Sequence, residues 1–234
     1  MMDNLLKDGL DELNISLSQD QEDKIFKFYN MLIEKNKVMN LTRITDRQDF
    51  ITKHVLDSLL IAKVKDVTGS KILDIGTGAG FPGIPVKIFF PDTEILLLDS
   101  LKKRLVFIDE VIKELGLENI STIHGRAEDL GHQENMREKF DLVVSRAVAE
   151  MSILSELSIP FVKKNGSFVA YKSAESGNEI SDAEKHIQIL GGKIESIQDV
   201  PLYGTDIIRK MVTIKKSGNT PKRYPRKPGK IVFP

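Results

Sequence analysis

Residues 71–85 read KILDIGTGAGFPGIP, a short apolar segment that runs into a glycine-rich loop. An apolar run followed by such a loop predicts a buried strand, a tight turn and the start of a helix. Glycines permit the turn and let a ligand approach the backbone closely. The segment therefore predicts a ligand-binding loop at the carboxyl end of a strand.

Further apolar runs follow this loop along the chain. They cover residues 94–98, 119–123, 140–145 and 166–172, and helix-like stretches such as 101–115 lie between them. Strands that alternate with helices predict a parallel sheet covered on both faces. Two alternating runs, 193–200 and 210–216, favour an antiparallel edge. We therefore predict an α/β fold with a Rossmann-like, mostly parallel sheet.

The two ends of the chain differ from this alternating section. A capping-box pattern at Ser18 precedes an amphipathic helix that reaches Asn36, and a second helix is predicted over 46–63. The last residues are rich in proline, glycine and basic side chains and predict an extended tail. The predicted organisation is an N-terminal helical extension (1–66), a Rossmann-like domain (67–216) and a basic C-terminal tail (217–234).

Composition and charge exclude several classes of protein. The 234 residues include no cysteine, which excludes thiolate-zinc sites, iron–sulfur clusters and cysteine nucleophiles. The formal net charge is zero, but the last 28 residues hold nine basic residues and no acidic one. A polyanionic partner can therefore contact that end of the chain.

The amino-terminal residues carry four acidic side chains, Asp3, Asp8, Asp11 and Glu12, where a secretory signal needs an uncharged apolar core. No apolar run approaches the roughly 20 residues that cross a bilayer. We expect a cytoplasmic monomer with no membrane partner.

The glycine spacing discriminates among ligands. A phosphate-binding P-loop needs Lys and then Ser or Thr after its last glycine, whereas Ile84 and Pro85 follow Gly83. A dinucleotide site expects its third glycine where Phe81 stands, which weakens that interpretation without excluding it. Asp99 ends the second strand and can accept hydrogen bonds from both ribose hydroxyls of a nucleoside, or else cap the next helix.

The Asp-x-Gly-x-Gly-x-Gly form of residues 74–80 resembles motif I of the class I methyltransferases, which bind S-adenosylmethionine. The loop Arg126–Asp129 resembles the adenine-contacting loop of these enzymes, in which Ala127 would offer backbone atoms and Glu128 a carboxylate. This resemblance implies a class I methyltransferase fold and S-adenosylmethionine as the cofactor.

Residue types restrict the atom that can be methylated. Methylation of cytosine C5 requires a thiolate, and the chain has none. Methylation of exocyclic amino groups usually shows Asp/Asn-Pro-Pro-Tyr after the fourth strand, where residues 142–147 read LVVSRA. What remains favours a nucleophile with a free lone pair, such as guanine N7, for which alignment can suffice. No general base is expected, and no catalytic residue is assigned.

Five motifs extend the resemblance. They are HVLDS (54–58), LDIGTGAGFPGIP (73–85), LDSLKKR (98–104), SRA (145–147) and YPRKPG (224–229). In this order they resemble the family of ribosomal RNA small subunit methyltransferase G, also called glucose-inhibited division protein B. The family implies methylation of N7 of a guanine in 16S rRNA, free or in a small-subunit particle. It implies cofactor contacts at Gly76, Phe81, Ala127, Glu128 and Arg146, alongside Gly78 and Asp99. The last five residues depart from the usual ending of the family.

Several side chains are candidates for contact with RNA. Arg146 ends the fourth strand and can hold the methionine carboxylate, an RNA phosphate or guanine O6. Lys172 ends the fifth strand in an analogous place and contacts either RNA or a protein carboxylate. His54 and Asp57 lie about one helical turn apart and either line the mouth of the pocket or cap a neighbouring element.

The basic tail supplies further RNA candidates. Arg223 and Arg226 can bind phosphates while Tyr224 stacks on a base or sugar. The remaining histidines, at 124, 132 and 186, lack the spacing of metal ligands, so no metal site is expected.

Three other functions account for parts of the sequence. A methyltransferase for small molecules or proteins is disfavoured by the basic tail. A nucleotide-sensing RNA-binding module is disfavoured by the intact glycine loop with Asp99. A nicotinamide-dependent dehydrogenase is disfavoured by the misplaced third glycine.

Overall fold

A computed structural model describes residues 4–227 and Ile231. Lys230, which belongs to the predicted basic tail, lies outside the described residues, as does most of the atypical ending. The apolar runs form seven strands: β1 Lys71–Ile75, β2 Glu94–Asp99, β3 Ile120–His124, β4 Phe140–Arg146, β5 Val162–Ser173, β6 Gly192–Pro201 and β7 Ile208–Lys216. They make one sheet in the order β3-β2-β1-β4-β5-β7-β6.

The pairing confirms the predicted mostly parallel sheet. The first five strands are parallel, and β7 lies antiparallel between β5 and β6. The order reverses at β1, which pairs with β2 on one side and β4 on the other. Open α/β sheets bind ligands outside the carboxyl ends of the strands at such a reversal. The glycine loop that follows β1 is at this point.

The helices are α1 Asn4–Glu12, α2 Gln19–Met39, α3 Arg47–Phe50, α4 Asp57–Leu59, α5 Gly83–Phe89, α6 Lys102–Leu115, α7 Ala127–Leu130, α8 Met151–Ser158 and α9 Gly177–Ile189. Ser18 caps α2 in the predicted capping box with Gln21. The helix predicted over 46–63 is present but irregular, because a π-helical segment, Ile51–Leu56, joins α3 to α4 and a 3₁₀ turn, Leu60–Lys63, ends it. Helix α1 was not predicted.

The amino-terminal helices share a core with one face of the sheet. Leu6, Phe28 and Phe50 belong to the same buried cluster as Ile84 of α5 and Phe107 of α6. The Phe28 ring lies 5.2 Å from that of Phe81 and 6.4 Å from that of Phe107, measured between centroids. The apolar face of α2 that the periodicity predicts therefore packs into the core on one face of the sheet.

The carboxyl-terminal residues differ from the predicted extended tail. Residues 217–227 lie against the body, where Arg137 donates hydrogen bonds to the carbonyl oxygens of Thr220, Pro221 and Tyr224. The Tyr224 side chain is buried. Proline and glycine predict a segment without regular structure. The segment is nevertheless bound to the protein, because its carbonyl oxygens accept hydrogen bonds from Arg137, which is distant in the sequence.

The packing of Phe28 gives a prediction for stability. Phe28→Ala should lower the free energy of unfolding by about 3–5 kcal/mol, because it removes a fully buried ring between the helices and the sheet. Chemical denaturation followed by circular dichroism measures the change.

Val38→Ala is the matched control on the same helix, because Val38 is 78% exposed. That change should stay within about 0.5 kcal/mol. Equal effects of the two substitutions would contradict the shared core.

Candidate functional site

The glycine loop leaves an open backbone beside the end of β2. Gly76, Gly78 and Gly80 have φ angles of +71°, +63° and +100°, which favour glycine. A Cβ atom on Gly78 would meet nothing closer than the Gly76 carbonyl oxygen at 3.9 Å, whereas one on Gly76 would lie 2.5 Å from a Val148 methyl group. The loop therefore faces open space at Gly78 and close packing at Gly76.

Asp74 fixes the inner side of this loop. Its Oδ2 accepts hydrogen bonds from Thr77 Oγ1 at 2.7 Å and from the Gly83 amide at 3.0 Å. Burial raises the pKa of Asp74 to about 6. A Cβ on Gly83 would lie 2.2 Å from Leu97 and 3.0 Å from Asp74 Oδ2. Close packing therefore explains the last glycine of the motif.

Asp99 joins the loop to the next helix. Its carboxylate accepts hydrogen bonds from the Gly78 amide at 3.0 Å, the Leu101 amide at 2.8 Å and Arg104 Nη1 at 3.3 Å. The predicted helix-capping role is not seen, because Leu101 is the N-cap of α6 without a side-chain capping bond and Asp99 accepts the amide of Leu101 itself. A carboxylate offers about four acceptor positions, so Asp99 can still accept a further donor.

Two cavities meet at this edge of the sheet. The first has a volume of about 300 Å³ and is lined by Gly76, Asp99, Ala127 and Glu128, four of the predicted cofactor residues, together with Arg104 and Leu157. The second has a volume of about 830 Å³ and is lined by His54, Asp57, Arg146 and Lys172, the four predicted substrate residues outside the tail. Ala147 and Val148 line both cavities, so the loop after β4 separates them.

Asp57 is a buried carboxylate held between two arginines. Its Oδ2 lies 2.7 Å from Arg146 Nη1, and its Oδ1 lies 2.7 Å from Arg209 Nε. One carboxylate balances only one of the two guanidinium groups, so this cluster carries a surplus positive charge beside the second cavity. Arg209 was not predicted, because no motif surrounds it and its partner is 152 residues away.

His54 fills the space between Arg146 and Phe81. Arg146 Nη2 lies 3.3 Å from His54 Nδ1, and Thr42 Oγ1 lies 2.9 Å from His54 Nε2. Arginine can only donate, so Nδ1 accepts and Nε2–H donates to Thr42. The imidazole stacks on Phe81, with centroids 4.2 Å apart and planes 8° apart. Burial, aided by the charge of Arg146, lowers the pKa of His54 to about 3.

Three predicted cofactor residues, Gly78, Phe81 and Arg146, are not among the residues that line the first cavity. The Phe81 side chain is buried in the core with Phe28 and Phe50. Arg146 lines the second cavity and not the first. Phe81 and Arg146 both contact His54 of the helical extension, and the Arg146 guanidinium lies 5.3 Å from the centre of the Phe81 ring.

Lys172 holds the loop that separates the cavities. Its Nζ donates to the Ala149 carbonyl oxygen at 2.9 Å and lies 2.6 Å from Glu179 Oε1. Glu179 in turn accepts the Met151 amide at 3.2 Å. Of the two predicted partners of Lys172, the structure shows the protein carboxylate.

The predicted RNA residues of the tail lie apart from both cavities. Arg226 forms an ion pair with the buried Glu156, at 2.7 Å, and Tyr224 packs edge-on against His186. The sequence predicts that Tyr224 and Arg226 contact RNA. In the structure, each of these side chains already contacts another residue of the protein. Arg223 is exposed, with its guanidinium 5.1 Å from the centre of the Tyr224 ring.

Among residues 4–227, no helix is both long enough and apolar enough to span a membrane. The same part of the chain shows no group of three or more His, Asp or Glu side chains arranged to hold a metal ion.

Sequence comparison finds a family model and relatives that carry the same name. A family model described as rRNA small subunit methyltransferase G matches residues 21–204. The ribosomal RNA small subunit methyltransferase G of Lachnoclostridium phytofermentans is 49% identical, over 95% of this chain and 92% of the relative. The protein of the same name from Clostridium tetani is 45% identical, over 97% of this chain and 95% of the relative.

Solved structures share the fold at low sequence identity. M. jannaschii TYW2 in complex with AdoMet has a TM-score of 0.56 and 15% identity, over 74% of this chain and 78% of that one. The fibrillarin pre-rRNA processing protein of Methanococcus jannaschii has a TM-score of 0.53 and 21% identity, over 68% of this chain and 73% of that one. At these identities the likeness shows the fold alone.

The depressed pKa of His54 gives a prediction for pH. The pKa falls from its ordinary value of 6.5 to about 3 in the folded protein, so unfolding takes up a proton between these values. The stabilisation is complete above pH 6.5 and is lost as the pH falls towards 3. The difference in unfolding free energy between the wild type and His54→Gln should therefore shrink by up to about 1.4 kcal/mol per pH unit below pH 6.

Urea denaturation at several pH values measures this difference. Groups that titrate alike in both proteins cancel when the two free energies of unfolding are subtracted. His124→Gln, a change at an exposed histidine, is the control. A difference between the wild type and His54→Gln that does not change with pH would contradict a neutral, buried His54.

Proposed function

The chain belongs to the rRNA small subunit methyltransferase G family, and on this premise we propose that it transfers a methyl group from S-adenosylmethionine to N7 of a guanine in 16S ribosomal RNA. The observation that carries the proposal is the pair of cavities that share the wall Ala147–Val148. One cavity suits a nucleoside cofactor. The other suits a nucleotide of RNA at the point where Arg146 and Arg209 share the single carboxylate of Asp57, although its whole lining has four basic and four acidic side chains.

The first cavity fits S-adenosylmethionine. The buried Asp99 carboxylate keeps an acceptor position for a ribose hydroxyl, and the loop at Gly78 presents bare backbone. Ala127 and Glu128 border the same cavity and would contact the adenine. When bound, S-adenosylmethionine supplies a methyl group on a positively charged sulfur. The structure of TYW2 that shares this fold is a complex with AdoMet, which supports the same ligand here.

The second cavity fits an acceptor that needs no deprotonation. Transfer to guanine N7 would use the N7 lone pair for the new bond to the methyl carbon, and the electron pair of the broken carbon–sulfur bond would stay on sulfur. No proton leaves N7. Two residues beside this cavity agree, because Asp57 is bound by two arginines and His54, with a pKa of about 3, is already hydrogen-bonded at both nitrogens. Their role is to position Arg146, which would bind an RNA phosphate or guanine O6.

The proposed partner is 16S rRNA, free or in a small-subunit particle, in the cytoplasm. We propose that the exposed Lys222, Arg223 and Lys227 contact RNA phosphates. Protein groups already pair with Tyr224, Arg226 and Lys172, so these three contribute through the fold of the site.

Binding of S-adenosylhomocysteine to two glycine variants tests the cofactor site. Gly78→Asn should abolish binding measured by titration calorimetry, because the new side chain occupies the open space beside the loop. Asparagine tolerates a positive φ better than other side chains, which limits the loss of stability.

Gly69→Asn is the matched control. Gly69 has a φ of +64°, close to the +63° of Gly78, and a Cβ there meets nothing within 4 Å. It should bind the ligand as the wild type does. Normal binding by Gly78→Asn would place the cofactor elsewhere.

Two measurements test which atom accepts the methyl group: the position of the methyl group in the product and the dependence of the rate on pH. Small-subunit particles from cells without the enzyme should gain a methyl group at guanine N7, detected by strand scission after borohydride reduction. The logarithm of the single-turnover rate should stay level between about pH 6 and 9, whereas an essential base gives a slope near one below its pKa.

His54→Gln serves as the control variant for this profile: its rate can fall, but the profile should remain level. A product methylated on an exocyclic nitrogen, or a profile of unit slope that His54→Gln removes, would refute N7 methylation without a base.

A further inference from the structure

Glu156 is a carboxylate with no exposed surface, one residue before a wall of the first cavity. It lies on α8 with 0% relative exposure, and the next residue, Leu157, lines that cavity. A buried carboxylate must be compensated by charge and hydrogen bonds. The contacts of Glu156 therefore determine where this part of α8 can lie.

The carboxyl-terminal segment supplies most of this compensation. Glu156 Oε1 accepts the Arg226 amide at 2.6 Å and Nε at 3.0 Å, and Oε2 accepts Arg226 Nη2 at 2.7 Å. His186 Nε2 lies 2.9 Å from Oε2. Arg226 thus binds Glu156 through both its backbone and its side chain, an arrangement that a solvated tail would not need.

The same segment also contacts the end of α7, the helix whose first residues belong to the predicted adenine-contacting loop. A Cβ on Gly131, the residue after α7, would lie 2.9 Å from the Pro225 ring. His132 Nε2 lies 2.8 Å from the Pro225 carbonyl oxygen. Arg137 Nη1 donates to the carbonyl oxygens of both Gly131 and Tyr224, at 2.7 and 2.8 Å. Helix α7 begins with Ala127 and Glu128, which line the first cavity.

We infer that residues 217–227 support two walls of the cofactor cavity, α7 and α8, and that Arg226 is a positioning residue for cofactor binding. On α8 the segment holds Glu156, which precedes the wall residue Leu157. Beside α7 it contacts Gly131, whose amide donates to the carbonyl oxygen of the wall residue Ala127 at 2.9 Å. Coupling through such a packed, hydrogen-bonded chain changes a binding free energy without contact with the ligand. The inference rests on the proposed function for the identity of the ligand.

This role differs from the RNA contact proposed for the neighbours of Arg226. Arg223 and Lys227 flank it and are exposed, so their charges are available to phosphates. The charge of Arg226 is balanced by Glu156. One short segment therefore carries side chains of two kinds, which matched substitutions can separate.

Arg226→Met and Arg223→Met each remove one positive charge from the full-length chain. Arg226→Met should raise the Kd for S-adenosylhomocysteine roughly tenfold, because α8 loses the side-chain contacts that join Glu156 to the carboxyl-terminal segment. Arg223→Met should change that Kd by less than about twofold. In RNA binding, only Arg223→Met should reduce the slope of log K against log salt, by about 0.7–0.9.

A second variant avoids leaving the Glu156 charge buried with His186 but without Arg226. The double variant Glu156→Gln, Arg226→Gln removes both charges and keeps similar volumes, and it should also bind S-adenosylhomocysteine more weakly. Arg226→Lys restores the charge without the paired donors and should have an intermediate Kd. Thermal unfolding first establishes which variants fold cooperatively.

Any of these Arg226 variants that folds as the wild type does and keeps the wild-type Kd overturns the inference. A salt slope that falls equally for Arg226→Met and Arg223→Met also overturns it, since Arg226 would then bind RNA. Failure of the wild type itself to bind S-adenosylhomocysteine would instead refute the proposed cofactor.

Discussion

The buried carboxylate of Asp57 joins three parts of the chain above the carboxyl ends of the strands. Asp57 begins α4, Arg146 ends β4 and Arg209 lies on β7. Their ion pairs, at 2.7 Å each, are buried at the carboxylate. Removal of one partner from such a group is strongly destabilising, because an uncompensated charge stays buried. The helical extension therefore cannot shift relative to the sheet without breaking the cluster, and His54, one turn before Asp57, keeps its place between Arg146 and Phe81.

Buried acids have the same effect at other points of this edge. Asp74 binds the glycine loop to α5, Asp99 binds it to β2 and α6, and Glu156 binds α8 to the carboxyl-terminal segment. Burial alone would raise the pKa of Glu156, but hydrogen bonds from His186 and Arg226 lower it to about 2. Loops are usually the mobile parts of an α/β protein. Here the glycine loop and the carboxyl-terminal segment are each hydrogen-bonded to carboxylates with little or no exposure, which restricts their movement although neither is a helix or a strand.

The sequence predicted features that depend on neighbouring residues. Strand β1 matches its predicted bounds, and the capping box at Ser18 is present, because periodicity and capping act within a few residues. Strand β5 begins at Val162, earlier than predicted, because it pairs with Phe140 across an irregularity in the register. Of the site, the glycine loop and Asp99 could be predicted from their motif. The partners of Asp57 and Glu156 could not, since Arg209 and Arg226 are 152 and 70 residues away.

The wall between the two cavities is held at both of its ends, as the proposed transfer without a base requires. Ala147 has a φ of +57°, a conformation that costs a side chain energy and is kept only where the surroundings enforce it. On one side, Ser145 Oγ donates to the Ile75 carbonyl oxygen at 2.8 Å, and on the other, Lys172 holds Ala149. Val148 is thereby pressed against Gly76, where a side chain on the glycine would displace it. Because the wall is fixed at both ends, a cofactor and a nucleotide in the two cavities would meet at a constant position. Rate enhancement from alignment alone depends on such a constraint.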